Sequence, residues 1–168
     1  MNKIFLGIGS NLGNREANLK EAVAMITKYI GLVSASSSVY ETEPWGFRSE
    51  NQFLNMVAEA GTELSPIDLM EAILLIEAKI GRTRSEKQYS SRIIDIDILL
   101  YNYLILDVDD LRIPHPKMYL RRFVLVPLCE LAPELVHPVL KKTMTSLLKI
   151  CNNESRVKFY SKPLSAKL

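Results

Sequence analysis

The chain has 168 residues but only two cysteines, Cys129 and Cys151, and only two histidines, His115 and His137. Two isolated cysteines supply neither a disulfide framework nor the paired spacing of a zinc site, so reduced thiols are expected. No apolar run approaches the roughly 20 residues of a membrane span, and the first residues turn polar too early for a signal peptide. These absences predict a soluble, cytoplasmic protein without a membrane partner.

An excess of charge is also missing. The chain carries 21 Lys and Arg against 19 Asp and Glu, a formal charge of +2. Such a balance does not create the broad positive field of a nucleic-acid-binding surface, so we expect no nucleic-acid partner. Any anionic ligand must therefore be bound by a local cluster of cations.

Hydrophobic periodicity and turn signals predict the element order βαββαβ. Asn14 caps the first helix, and Ser65 begins the second, which ends at Gly81. The predicted strands are Lys3–Gly9, Leu32–Glu41, Gln52–Thr62 and Ile93–Leu100. This order predicts an α+β fold of the ferredoxin-like type, an antiparallel sheet with its helices packed on one face.

A C-terminal extension follows the βαββαβ order. We expect a helix near Phe123 to Leu131 that packs on the same core. A hydrophobic content of 48% suffices for one buried core at this length, so residues 1–168 are predicted to form a single domain. The basic stretch 152–168 is predicted to be a frayed tail.

Two aspartates, Asp95 and Asp97, interrupt a strand that is otherwise isoleucine and leucine. Asp is depleted from strands, so the pair needs an explanation. Because side chains alternate along a strand, both point to one face, roughly 6.6–7 Å apart along the backbone. Two such carboxylates can bind a pair of Mg²⁺ ions that clamp phosphoryl oxygens. The opposite, core-facing positions are Ile94, Ile96, Ile98 and Leu100.

The alternative for the aspartate pair is an ordinary salt-bridge network, because ion pairs also explain buried carboxylates. The preceding segment RTRSEKQYSSR contributes Arg82, Arg84, Lys87 and Arg92 and is predicted to be a long mobile loop. Guanidinium groups bind phosphate oxygens in pairs, and an enzyme that handles a triphosphate needs such cations. A basic loop is usually only solvated, but its position beside the aspartates favours a functional site.

Three further groups of residues could form a binding site. GIGSNLG has the wrong spacing for a dinucleotide fingerprint and lacks the lysine of a P-loop, so it is predicted to be a tight strand-to-helix turn. Aromatic rings and an amide at positions 42–55 suit a flat heterocyclic ligand, although any single ring is more often part of a core. His115 and Arg121 lie near Phe123, but a lone histidine is more often structural.

Taken together, the motifs resemble the 6-hydroxymethyl-7,8-dihydropterin pyrophosphokinase family of folate biosynthesis. The resemblance covers about Ile4 to Pro138 and includes several motifs in the same order and spacing. They are GIGSNLGNR, YETEPWG, FLN, IEAKIGRTR, SSRIIDIDILL, IPHP, RRFVLVPL and LAPEL. The resemblance implies a monomer that uses two Mg²⁺ ions and transfers the pyrophosphoryl group of ATP to the pterin hydroxymethyl group, releasing AMP.

The resemblance also implies roles for individual residues. Asp95 and Asp97 would bind the metal ions, and the catalytic residues would be Arg82, Arg92, Asp95 and Asp97. The ATP-binding residues would be Glu77, Arg84, Arg92, Ile98, Arg112, His115 and Arg121. The pterin-binding residues would be Thr42, Pro44, Trp45, Phe53, Asn55, Asp95 and Phe123.

Two other functions stay open at this stage. A small ferredoxin-like module could bind RNA, although the sequence lacks the aromatic strand motif of an RNA-recognition domain. A kinase that transfers the γ-phosphoryl group could use the same aspartates and arginines. The nucleotide product, AMP or ADP, distinguishes the last alternative from a pyrophosphokinase.

Overall fold

The structure is a computed structural model that describes residues 1–83 and 91–164. The helices are α1 (Arg15–Tyr29), α2 (Pro66–Ile80), α3 (Arg122–Leu131) and α4 (Met144–Ile150), with a short 3-10 helix at Met118–Leu120. The strands are β1 (Asn2–Ser10), β2 (Val33–Ser36), β3 (Val39–Thr42), β4 (Phe53–Thr62), β5 (Asp95–Tyr101), β6 (Leu106–Val108), β7 (Leu111–Ile113) and β8 (Val157–Ser161). No helix within these ranges is long and apolar enough to cross a membrane.

Six of the strands form one antiparallel sheet. Its order is β5-β1-β4-β3-β8, and β2 pairs with β4 next to β3. The remaining two strands, β6 and β7, form a separate hairpin. The single strand predicted over Leu32–Glu41 is therefore two strands, which pair with successive parts of β4. The central strand β1 lies between β4 and β5, and this position controls the geometry of the site.

Helices cover both faces of the sheet. Helices α1 and α2 pack on the face that carries Ile4, Leu6 and Ile8, and together they form the first core cluster. Helices α3 and α4 pack on the face that carries Phe5 and Leu99, and together they form the second core cluster. The expectation that the C-terminal helix shares the first core is wrong. The cause is visible in β1, which is apolar at successive positions and therefore buries both of its faces.

A bulge in the pairing of β1 with β5 changes one predicted core position. Phe5 pairs with Leu100, whereas the next residue, Leu6, pairs with Ile98. The extra residue, Leu99, breaks the alternation, so Leu100 packs in the second cluster with α3 and not beside Ile98 as predicted. The predictions for the isoleucines of β5 are confirmed, since Ile96 and Ile98 pack in the first cluster.

The predicted frayed tail is largely ordered. Val157–Ser161 form β8, which pairs with the exposed edge of β3. The ring of Tyr40 in β3 meets the ring of Phe159 in β8 edge-on, with 6.4 Å between centroids, and Leu164 is buried in the first core. Lys158 of the predicted tail instead lies in this edge strand, where charged side chains are common. Residues 165–168 lie outside the described part of the chain.

The caps of α2 are those predicted. The Ser65 hydroxyl accepts the Asp68 N–H at 3.2 Å, and Gly81 ends the helix with φ 106° and ψ 17°. The Gly81 N–H donates to carbonyls of the last turn, Ala78 and Glu77. This left-handed turn directs the chain from the helix into Arg82, at the wall of the cavity described below.

We predict that Gly81→Ala lowers the free energy of unfolding by about 1–2 kcal/mol, because an alanine is strained at this φ. An added Cβ would lie 3.7 Å from Ile93 Cδ1, which is an ordinary contact, so the loss is conformational. Gly81→Asn is the matched control, since asparagine tolerates the left-handed region better. Chemical denaturation measures both, and an alanine variant as stable as wild type would contradict the prediction.

Candidate active site

A cavity of about 720 Å³ opens where the last residues of β1 meet the first residues of β4 and β5. Its walls also include the end of α2, the segment after Thr42, the β6–β7 hairpin and the start of α3. All the site residues predicted above line it, with two exceptions. Pro44 lies outside the lining although Glu43 and Trp45 are in it, and Arg84 lies outside the described residues.

The two carboxylates of β5 enter this cavity from the same face of the sheet, as the strand spacing predicted. Asp95 is ion-paired with both oxygens occupied: Oδ1 accepts from Arg82 Nη1 at 2.8 Å and Oδ2 from Arg92 Nη1 at 2.7 Å. The salt-bridge alternative therefore describes Asp95. Both arginines also face the cavity, where guanidinium groups can bind the oxygens of an anionic ligand.

Glu77 supports this ion-pair network from the last turn of α2. It is 4% exposed, and its Oε1 accepts from the Arg82 guanidinium and from the Ile96 N–H, the latter at 2.8 Å. Burial raises the pKa of Glu77, while the positive charge of Arg82 opposes that rise. Glu77, which the resemblance assigns to ATP binding, thus positions Arg82 and accepts a backbone N–H of β5.

Asp97 is held much more loosely than Asp95. Its Oδ2 lies 3.5 Å from Arg121 Nη1 and 3.9 Å from His115 Nε2. Its side chain is 36% exposed towards the cavity. Burial of the carboxyl by the cavity walls and the nearby charge of Asp95 raise the pKa of Asp97 well above its usual value. An additional positive charge at this position would stabilise the ionised form.

The donor set fits magnesium better than a transition metal. Within the described ranges, no group of three or more His, Cys, Asp and Glu side chains is arranged to hold an ion. Mg²⁺ does not require such a cage, because it keeps water and takes further oxygens from substrate phosphates. Two carboxylates on one face of β5, one of them short of positive charge, match that requirement.

His115 presents a neutral donor to the same region. Its Nδ1 accepts the backbone N–H of Lys117 at 3.1 Å, so the proton of the neutral ring is on Nε2. Burial and the charge of Arg121 lower the pKa of His115 to about 4. The ring is therefore uncharged at pH 7 and can donate a hydrogen bond from Nε2 to an oxygen near Asp97.

Arg121 connects the carboxylates with the aromatic wall. Its guanidinium carbon lies 4.8 Å from the ring centroid of Trp45 and 5.7 Å from that of Phe123. Its Nε is buried with no hydrogen-bond partner among the described residues. A buried donor without a partner is unfavourable, so this group favours a ligand oxygen in the cavity.

The ring-binding side of the cavity is made by β3, β4 and the segment between them. Asn55 Nδ2 donates to Thr42 Oγ1 at 2.6 Å, and both side chains are buried. Phe47 and Phe53 meet edge-on with 6.1 Å between centroids. Phe53 and Phe123 are only half-buried, so neither ring is a plain core residue. The amide and the exposed ring faces suit a flat polar heterocycle.

Sequence analysis missed Asn11, which joins two segments of the site. The residue is 2% exposed; its Oδ1 accepts the Arg92 N–H at 2.6 Å, and its Nδ2 donates to Ser91 Oγ at 3.1 Å and to the Asn51 carbonyl at 3.2 Å. These partners are 40 to 81 positions away in the chain. No local pattern could indicate such contacts.

Two carboxylates, surrounding guanidiniums and an adjoining aromatic pocket define a site for transfer of a phosphoryl or pyrophosphoryl group to a flat heterocyclic acceptor. The model of the 7,8-dihydro-6-hydroxymethylpterin-pyrophosphokinase family matches residues 5–133. The chain belongs to this family. It therefore transfers a pyrophosphoryl group from ATP to the hydroxymethyl group of the dihydropterin, a step of folate biosynthesis.

Curated relatives agree. The chain is 43% identical over 136 residues to the 2-amino-4-hydroxy-6-hydroxymethyldihydropteridine pyrophosphokinase of Bacillus subtilis, a match that covers 80% of this chain and 81% of that protein. It is 36% identical over 144 residues to the enzyme of the same name from Aquifex aeolicus, covering 86% of this chain and 89% of that protein.

Solved structures show the same fold. A Plasmodium falciparum HPPK-DHPS bound to pteroate superposes with a TM-score of 0.73 at 19% identity, covering 88% of this chain and 42% of that chain. An HPPK-DHPS in complex with substrates gives a TM-score of 0.72 at 16% identity, covering 88% of this chain and 43% of that chain. The chain spans less than half the length of these two-part proteins.

We predict that Asp97→Asn stabilises the metal-free protein at neutral pH while it abolishes turnover. A carboxyl whose folded-state pKa is raised destabilises the fold above its unfolded pKa, and the penalty grows until pH exceeds the folded pKa. The variant should therefore melt at a higher temperature than wild type in chelator at pH 8. The difference should shrink towards pH 4, and a less stable variant at pH 8 would contradict it.

Proposed function

We propose that Asp95 and Asp97 bind two Mg²⁺ ions between the ATP phosphates and the pterin, and that the lining residues predicted from sequence divide between these two substrates. The observation that carries the proposal is their convergence. Carboxylates, guanidiniums and a half-exposed aromatic pocket line one cavity. Two metal ions about 3.5–4 Å apart would suit carboxylates at alternate strand positions.

ATP would lie along the open edge of β5. The described strands pair β5 with β1 only, and the Ile96 N–H points away from β1 to Glu77. Residues two apart share this direction, so the N–H and C=O of Ile98 also point outwards, into the cavity. These groups can read the edge of an adenine ring, and the hairpin residue Arg112 lines the same side.

The phosphates would then extend from Ile98 towards the aspartates. Arg82, Arg92 and Arg121 surround this path, and His115 Nε2 adds a neutral donor beside Asp97. When bound, magnesium neutralises phosphate charge and polarises the reacting phosphoryl group. The arginines balance the remaining negative charge, which magnesium alone does not cancel.

The pterin would occupy the aromatic pocket. Phe53 and Phe123 provide ring faces, and the Asn55 amide and the Thr42 hydroxyl form a polar edge. Trp45 lies against Arg121 and closes the side of the pocket. A ring held here points its hydroxymethyl group at Asp95, which begins β5 at the same level of the sheet.

Catalysis would rest on positioning and charge neutralisation. The pterin hydroxyl oxygen forms a bond to the β-phosphorus as the bond from that phosphorus to the α–β bridging oxygen breaks. AMP leaves with the bridging oxygen, and the hydroxyl proton is released. No side chain forms a covalent intermediate, so the protein contributes orientation and cations matched to the developing charge.

We also propose a ferredoxin-like topology, a single domain and a monomer. The strand order β5-β1-β4 supports a ferredoxin-like sheet. In this sheet β2 and β3, which each pair with β4, together take the place of the second strand of the fold. A single domain is supported by the shared sheet, which both core clusters use. A monomer is what the resemblance to the family implies.

The decisive assay incubates the protein with ATP, magnesium and 6-hydroxymethyl-7,8-dihydropterin and resolves the nucleotides. We predict AMP that appears only when the pterin is present. Asp95→Ala and Asp97→Ala should each abolish AMP formation while the far-ultraviolet circular dichroism stays native. ADP as the product would indicate a γ-phosphoryl kinase, and metal-dependent activity in both variants would contradict the metal assignment.

We predict that Arg92→Ala lowers kcat on the order of 10²-fold or more while the Kd for the pterin changes little. Its guanidinium lies on the Asp95 carboxylate and beside the phosphate path, away from the ring pocket. Arg112→Ala is a useful comparison, because that exposed arginine pairs with Asp107 at 2.9 Å and lies on the proposed adenine side. A large loss of pterin affinity without a loss of kcat in Arg92→Ala would place this arginine on the other substrate.

A further inference from the structure

Gly7 and Gly9 of the GIGSNLG motif lie inside a strand, which agrees with the strand predicted over Lys3–Gly9 but not with the turn predicted for the whole motif. Gly7 and Gly9 belong to β1, which continues to Ser10, and the turn falls at Gly13 with φ 67°. A glycine weakens the interior of a strand and usually marks a place where another group comes close. Neither Gly7 nor Gly9 is among the glycines with positive φ, so the backbone conformation does not require glycine at either position.

Gly9 occupies the centre of the site. In the register of the sheet it pairs with Asn55 of β4 on one side and with Asp95 of β5 on the other. Paired residues of adjacent strands project to the same face. Gly9 therefore forms the floor between the amide of the ring pocket and the first proposed metal ligand.

The floor has no room for a methyl group. A Cβ built on Gly9 would lie 2.7 Å from Asn55 Oδ1 and 3.6 Å from Phe53 Cδ1. Asn55 is 8% exposed and donates to Thr42 at 2.6 Å, so it can retreat only by giving up this hydrogen bond. The added methyl group would then lie between the Asn55 amide and the face of the Phe53 ring on which the pterin is proposed to stack.

The same register sets the distance between Asn55 and Asp95. Adjacent strands are about 4.7–4.9 Å apart, so Asn55 and Asp95 are separated by two such spacings, roughly 9.4–9.8 Å. A bicyclic ring whose polar edge faces Asn55 must cross over Gly9 for its one-carbon substituent to reach Asp95. Only a residue without a side chain lets the ring lie close to the sheet along that path.

We infer that Gly9 is a specificity-determining residue for the heterocyclic acceptor: its missing side chain keeps Asn55 in place and admits a flat ring between Asn55 and Asp95. This inference rests on the proposed placement of the pterin. ATP does not need the space above Gly9, because its proposed path follows the outer edge of β5. An added methyl group should therefore discriminate between the two substrates.

The test is equilibrium binding by Gly9→Ala. We expect the Kd for 6-hydroxymethylpterin, measured with magnesium and a non-hydrolysable ATP analogue, to rise on the order of tenfold to a hundredfold. The Kd for the magnesium complex of the analogue alone should stay within roughly twofold. Equal loss of both ligands would indicate a general structural role and overturn the inference, as would an unchanged Kd for the pterin.

Gly7→Ala is the matched control. It adds the same methyl to the same face of β1 two residues earlier, where the Cβ would meet only Leu99 side-chain atoms at 3.4–3.6 Å. Its pterin Kd should stay much closer to that of wild type than the Gly9→Ala value. An equal loss in both variants would show that any alanine in β1 has this effect, and would overturn a special role for Gly9.

Two further measurements keep the outcomes separate. If Gly9→Ala does not fold, the pair Asn55→Ser and Gly9→Ala/Asn55→Ser replaces it, because the shorter side chain leaves room for the methyl. The double variant should bind the pterin more weakly than Asn55→Ser, and equal binding would overturn the inference. If wild type itself fails to bind the pterin, the proposed function fails; if wild type and Gly9→Ala bind it equally, only the role of Gly9 is lost.

Discussion

The site depends on the balance of charge among three carboxylates that share one wall of a cavity. Helix α2 and strand β5 bring Glu77, Asp95 and Asp97 to the same cavity wall. Because like charges that lie close together repel one another, this arrangement opposes folding unless cations compensate. Arg82 and Arg92 neutralise Asp95 through contacts of 2.7–2.8 Å, whereas Arg121 approaches Asp97 only to 3.5 Å. The side chains around Asp97 therefore neutralise it less fully than those around Asp95.

This unequal pairing gives the arginines two uses. Without substrate, Arg82 and Arg92 satisfy Asp95 and allow the carboxylate to be built into the sheet. In the proposed complex, magnesium would occupy the carboxylates, and the same guanidiniums would already lie beside the phosphates and need little reorganisation. The Nε of Arg121, which has no hydrogen-bond partner among the described residues, adds a donor for a ligand oxygen. Stability and function thus use the same cations in different pairings.

The register of β1 between β4 and β5 carries the second constraint. It places Gly9 between Asn55 and Asp95, and Gly7 beside Asp97. A side chain at Gly9 would intrude on the site, so the central strand is bare where its neighbours carry the Asn55 amide and the Asp95 carboxylate. The Asn55 amide and the Asp95 carboxylate consequently lie at a distance set by strand spacing and not by loop conformation. A site built on strands in this way is held more rigidly than one built on loops.

Much of this was determined by the sequence itself. The N-cap of α1, both caps of α2, the common face of Asp95 and Asp97, and the helix at Arg122–Leu131 follow from local periodicity and capping chemistry, and the motif order indicated the family. These features depend on residues a few positions apart, so a linear pattern contains them. The tertiary structure alone decided the second core, the bulge that turns Leu100 over, and the pairing of β8 with β3. It also decided the contacts of Asn11 and the place of Gly9 between two strands, because these depend on residues 40 to 120 positions away that only the folded sheet brings together.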